Sequence, residues 1–164
     1  MIKMYQRLMA HMAWADDGLL DAIASQEGAS TDEDMRKLLH HIVAVQRFFL
    51  SMFQSRSFDF EREWRVPETM DEIRRLFREA HADGIAYAAQ LDEGQLAVTV
   101  HHPRFKEFHP AVGDALMQVI MHGEHHRAQC ASRLRAMGGK PPVLDYILWV
   151  REVGGKTQLP TTSH

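Results

Sequence analysis

Eleven histidines against a single cysteine is the feature of this chain with the clearest chemical consequence. A metal site here would be built from imidazole and carboxylate, not thiolate. His122 and His126 stand i, i+4 in the run His122-Gly123-Glu124-His125-His126-Arg127. On a helix that spacing points both rings the same way, one turn apart. The apolar stripe of this segment is Leu116, Val119, Ile120, Cys130, Leu134 and Met137. His126 lies at its edge, His122 about 40° further round, and His125 on the opposite, solvent side. The same test separates the pair His40-His41. His41 shares a face with Leu38, Val45, Phe48 and Met52 and is expected to point inward. His40 shares a face with Glu33, Lys37 and Arg47 and is expected to point to water.

One inward histidine on one helix and two on another can meet between facing helices, where bundle cores commonly hold metals. His41, His122 and His126 are therefore the candidate ligands for one divalent ion. Imidazole nitrogen suits zinc, nickel, copper and iron, and three protein ligands leave a position open. Three neutral ligands also leave the ion its full charge, so it can activate bound water or take a thiolate or carbonyl as a Lewis acid. The spacing equally suits boundary histidines, each satisfied by a carbonyl or carboxylate. It is not the H-E-x-x-H arrangement, because Glu124 follows Gly123 and not His122.

Other residues carry weaker signals. His11, beside Leu8 and Ala15, reads as a boundary histidine and a candidate partner for a ligand. His101, His102 and His109 flank a β-rich stretch, and a surface loop is the first reading for them. Cys130, on the apolar stripe, reads as a small buried hydrophobe. Arg127 near that stripe reads as internally ion-paired. No residue stands out as a catalytic base or nucleophile.

The elements that must position these groups are helical. A first helix is expected from about Ile2 to Gln26, with the stripe Tyr5, Leu8, Met9, Met12, Leu19, Leu20 and Ile23, stopped by Gly28. Ser30 and Glu33 have the capping-box spacing for a second helix. That helix carries Met35, Leu38, Leu39, Ile42, Val45, Phe48, Phe49 and Met52. After a polar and aromatic connection from Ser55 to Pro67, Thr69 and Glu72 repeat the spacing and open a third. Leu96 to Val100 has β-type composition, with a turn at Pro103 before Phe105 and Phe108, and suggests a small hairpin. Pro110 suits the first turn of a fourth helix that runs to about Met137 and ends at Gly138-Gly139. A last short helix is expected over Val143 to Val153, then a frayed tail from Gly154. The expected fold class is all-α: a four-helix bundle with a short C-terminal helix and a small hairpin between helices 3 and 4. It forms one domain over 1–153, with 154–164 as the tail.

The bulk numbers fit that frame. The chain has 164 residues, 45% hydrophobic and 25% charged, with a formal net charge of −3. Nothing there favours disorder, and no uninterrupted apolar run reaches membrane-spanning length. Residues Gln6, Arg7 and His11 break any signal-peptide core. Arg62, Arg65, Arg74, Arg75 and Arg78 are interleaved with Glu61, Glu63, Glu68, Asp71, Glu72 and Glu79, the look of a solvated helix face, so no nucleic-acid partner is expected. A lone cysteine fits a reducing compartment, and a cytoplasmic location is expected.

Several segments together resemble one known family. They are Ala13-Trp14-Ala15, Leu38-Leu39-His40-His41-Ile42, His122-x-x-x-His126-Arg127-Ala128-Gln129, and Gly138-Gly139-Lys140-Pro141-Pro142 with Asp145. The chain resembles the DinB/YfiT-like family of metal-dependent helical bundles from about Tyr5 to Val150. The resemblance implies that His41, His122 and His126 are metal ligands, with zinc or nickel, or else iron, as the ion. It also implies a small-molecule substrate, with a low-molecular-weight thiol as possible cosubstrate of an S-transferase or isomerase, and a homodimer. Ala128 departs from the family's usual Gly, and Asp16 stands where Asn is usual, so no role is carried over to Asp16. The two readings that follow are a metal-dependent enzyme and a noncatalytic, stress-associated bundle with a structural or adventitious site.

Overall fold

The computed structural model describes residues 1–154. In chain order the helices are α1 (Ile2–Ala24), α2 (Glu33–Phe53), α3 (Phe60–Glu63), α4 (Met70–Gln90), α5 (Glu93–Leu96), α6 (Val112–Ala136) and α7 (Tyr146–Trp149). The four long ones are α1, α2, α4 and α6, and the all-α bundle expected from the sequence is what the chain forms. In the ring they make, α2 packs most extensively on α6 and α1 on α4, while α1 against α6 and α2 against α4 close it. No described helix is long and apolar enough to cross a membrane.

The helix ends show which local signals hold. Thr69 caps α4, its hydroxyl accepting from Glu72 N at 3.2 Å. For α2 the cap is Asp32 rather than Ser30: its Oδ1 accepts from Met35 N at 2.7 Å, after a 3-10 turn over Ala29–Thr31. Asp32 also takes Arg133 of α6 at 2.7 Å, so one carboxylate caps α2 and ties it to α6. That tertiary partner is invisible to a spacing rule. Gly138, at φ 84°, ends α6, and Gly139 N donates back to Leu134 O at 2.9 Å.

The expected hairpin is cut to one antiparallel bridge, Thr99 with Ala111. Asp92 and Gln95 form a reciprocal capping box that draws Glu93–Leu96 into a helical turn. Phe105 falls in a 3-10 turn over Pro103–Phe105. The carbonyl of Pro110 accepts from Val100 N at 2.8 Å, so α6 starts at Val112 and Pro110 stays outside it. The C-terminal segment opens at Tyr146, not Val143, and passes into a π turn over Val150–Gly154. Apart from Gly154, the expected tail lies outside the described residues.

Two apolar cores fill the bundle, one above the other. One holds Tyr5, Met9, Met12, Phe48, Phe49, Leu116 and Val119. The other holds Leu19, Leu20, Ile23, Leu39, Ile42, Phe77, Cys130 and Leu134. Along α1 and α6 the changeover falls at a polar residue, Asp16 and Arg127, and on α2 Gln46 follows it directly after Val45. His81 of α4 joins them, giving one polar residue from each long helix, all buried. Asp16 is the hub. Its Oδ1 accepts from Arg127 Nη1 at 2.8 Å, and its Oδ2 from His81 Nε2 at 2.9 Å and Gln46 Nε2 at 3.2 Å. Burial pushes the Asp16 carboxyl up, but His81 and Arg127 together outweigh it and hold the pKa below the usual carboxylate value.

A buried charge without its counter-charge is costly, even where a neutral amide keeps part of the bonding. Asp16→Ala should therefore cost about 3–5 kcal/mol, because Arg127 loses its buried partner. Asp16→Asn leaves the same guanidinium without a counter-charge and should cost nearly as much. Urea unfolding at pH 7 measures both, and an Asn variant close to wild type in stability would contradict the ion pair as the dominant contact.

Candidate metal centre

The most extensive helix contact, α2 on α6, is where the three predicted histidines meet. His41 comes from the middle of α2, and His122 and His126 from successive turns of α6. One ligand nitrogen from each lies within 4.8 Å of the others. His41 Nε2 and His122 Nε2 are 3.1 Å apart. The ring centroids of His126 are 4.6 Å from His41 and 4.3 Å from His122. In a tetrahedral site with bonds of about 2.0–2.1 Å, ligand nitrogens stand roughly 3.3–3.4 Å apart. The His41–His122 separation is already near that, and the spacing as a whole closes with side-chain movement on the order of 1 Å. All three rings are half-buried, so the cluster can be reached from solvent.

The cluster is electrostatically suited to a cation. Burial lowers the His41 pKa, and His126 and His40 lower it further. His122 is pushed down to about 4, first by burial and then by His126, His41 and His125. Both rings are therefore neutral, with free lone pairs, at pH 7. The carboxylate of Glu124, which follows His122 by two residues, is taken by Arg127 Nη2 at 2.7 Å. On His126, Nδ1 is held by Gln129 Oε1 at 2.7 Å, which leaves Nε2 as its ligand nitrogen.

The other sequence candidates are placed elsewhere. His11 Nε2 meets Leu144 O at 2.9 Å and packs among Trp14, Tyr146 and Trp149, at the junction with α7. His101 and His109 face one another with centroids 4.3 Å apart. His102 sits against Phe48, Phe60 and Phe105. Cys130 is fully buried and its thiol is pushed up to about 12 by burial, which suits packing and not nucleophilic attack. Arg127 is internally paired, as its position near the apolar stripe implies.

One prediction from the helical wheel fails. His40, expected to face water, is buried with 4% exposure. The short α3 covers that face of α2: Arg47 clamps Glu63 through Nε and Nη2 at 2.8 and 3.1 Å, and the Glu63 backbone meets the His40 ring. A wheel drawn for a single helix cannot see a covering segment. The sequence reading also passed over Asp16, Gln46 and His81. Their signal was present, since each occupies an apolar-stripe position (Asp16 between Met12 and Leu19, Gln46 one turn past Ile42, His81 one turn past Phe77).

The His122 shift fixes a pH dependence for the metal-free protein. The unfolded ring binds a proton near its ordinary value of 6.5, and the folded ring only near 4. Stability is therefore complete above about pH 6.5, falls as pH drops toward 4, and loses nothing more from this group below that. His122→Gln should flatten this acid limb. Urea midpoints of chelator-treated protein at pH 7, 5.5 and 4.5 test it, and parallel curves for wild type and variant would contradict it.

The comparisons with known proteins speak to the family and the fold. The model of the DinB family matches residues 1–154. A DinB-like protein from Bacillus cereus ATCC 10987, of known crystal structure, superposes with a TM-score of 0.65 at 19% sequence identity. The match covers 82% of this chain and 91% of that one, and at this identity it speaks to the fold alone. A comparison with curated proteins finds no match. A four-helix bundle with this histidine cluster, matched by the family model over residues 1–154, identifies the chain as a member of the DinB family.

Proposed function

We propose that the protein is a metal-dependent enzyme in which His41, His122 and His126 hold one divalent ion, zinc or nickel first and iron as a further candidate. The observation that carries this reading is the convergence of three imidazole nitrogens from two helices within 4.8 Å. The ion would supply a Lewis acid with a free position, able to lower the pKa of water or of a small thiol. The chain's own contribution is threefold. It keeps the ligands neutral, it keeps carboxylates engaged elsewhere, and it leaves the cluster half-exposed to a small-molecule substrate. The reaction class is thus hydrolysis or thiol transfer to an electrophile. A cytoplasmic location, from the lone cysteine, and a homodimer, on family resemblance, complete the reading.

A second reading has its own support. A recess of about 770 Å³ lies beside the cluster's neighbour His40, walled by Arg47, Glu63, Pro67, Leu76 and Glu79, and does not include the three ligands. Small-molecule sites are usually concave pockets, and none of the three histidines lines this one. Its placement away from the cluster favours a noncatalytic, stress-associated bundle whose metal is structural or adventitious.

Elemental analysis separates the first reading from a chain that binds no metal. Protein purified without a histidine tag or chelator, and reconstituted with zinc or nickel, should carry about one equivalent. His126→Ala and His41→Ala should carry almost none while keeping the helical circular dichroism of wild type. Unchanged metal content in both variants would sink the proposed centre. Activity toward small-thiol transfer or ester hydrolysis should then be lost in the same variants.

A further inference from the structure

Resting on the metal reading above, we propose that Gln129 is a positioning residue for the centre and that His125 locks its amide in the working orientation. The three groups lie on one helix: His126 Nδ1 meets Gln129 Oε1 at 2.7 Å, and Gln129 Nε2 meets His125 Nε2 at 3.2 Å. Among the described residues, His126 is the one member of the cluster whose Nδ1 is held by another side chain.

The chemistry follows from which atom donates. An amide oxygen only accepts, so the bond requires the proton on His126 Nδ1 and leaves the Nε2 lone pair free toward His41 and His122. Were the amide turned over, its NH₂ would face Nδ1. Nδ1 would then have to accept, the proton would move to Nε2, and the ligand nitrogen would be blocked. The amide's other contact is to His125 Nε2, which accepts from the NH₂ when His125 carries its proton on Nδ1 and then disfavours the turned form, where an oxygen would face that lone pair. His125, whose ring centroid lies 4.9 Å from that of His126 but which is not one of the three converging ligands, thereby biases which nitrogen of its neighbour is available. The i, i+3 and i, i+4 spacings that bring these side chains together come directly from α6. Gln129 and His125 are exposed, so water competes for both bonds, and each holds its partner without rigidly clamping it.

A carboxylate in place of the amide is the informative variant, because both of its oxygens accept and it has no wrong face. Zinc affinity is measured by competition with a chromophoric chelator on full-length, metal-stripped protein. The proteins compared are wild type, Gln129→Leu, Gln129→Glu, His125→Ala and the double variant His125→Ala/Gln129→Glu. Loss of a hydrogen-bond partner to a ligand histidine typically weakens metal binding about 10- to 100-fold, and Gln129→Leu should fall in that range. Gln129→Glu should bind close to wild type. His125→Ala should weaken binding when Gln129 is present and have no effect alongside Gln129→Glu. In the metal-free protein, nitrogen-15 NMR of the His126 ring should show the proton on Nδ1 in wild type and a mixture of tautomers in Gln129→Leu.

Unchanged zinc affinity in Gln129→Leu, or an equal effect of His125→Ala in both backgrounds, would overturn the proposal while leaving the metal centre intact. If wild type took up no zinc, the metal centre itself would fail. The tautomer in the metal-free protein would then decide the role of Gln129 by itself, with a proton on Nε2 refuting it.

Discussion

The rest of the bundle is arranged around one buried ion pair, Asp16 with Arg127. Arg127 is 4% exposed and Asp16 1%. Two charges so far from water hold together only if each finds its partner in good geometry. Asp16 does so by collecting one group from each of the other long helices, Gln46, His81 and Arg127. Arg127 packs beside Gly123, where a Cβ would meet Arg127 Nη1 at 3.4 Å and Met12 Sδ at 3.6 Å, ordinary van der Waals contact.

That layer also sets the candidate centre. Arg127 follows His126 directly, and turning Arg127 into the core toward Asp16 fixes the rotation of α6 about its axis. With 100° between neighbouring residues, His122 and His126 are then presented toward α2. Gln46 plays the same part on α2, five residues beyond His41. The layer consumes charge as well. The carboxylates of Asp16 and Glu124 are both bound to Arg127, so neither is free to join the imidazole cluster. An ion held there would keep its full charge for activating a small molecule, as opposed to being quenched by carboxylates.

Much of this was legible in the sequence, because a long amphipathic helix writes its core face into a 3.6-residue repeat. The four long helices, the cap at Thr69, the stop at Gly138-Gly139 and the inward turn of His41, His122 and His126 all follow from that repeat. What escaped depends on contacts between segments distant in the chain. Asp32 replaces Ser30 as a cap while it also binds Arg133, a hundred residues away by hydrogen bond. His40 is covered by α3, and the β-rich stretch at Leu96 is claimed by a local capping box. Asp16 stood in plain view on an apolar stripe, but its meaning required His81 and Arg127 to be seen around it.

X-ray absorption at the zinc edge of the metal-loaded protein tests the central claim most directly. The account predicts three imidazole scatterers at about 2.0–2.1 Å, completed by light-atom ligands from solvent. A sulfur scatterer, fewer than three imidazoles, or a fourth protein ligand closing the sphere would contradict an open three-histidine centre.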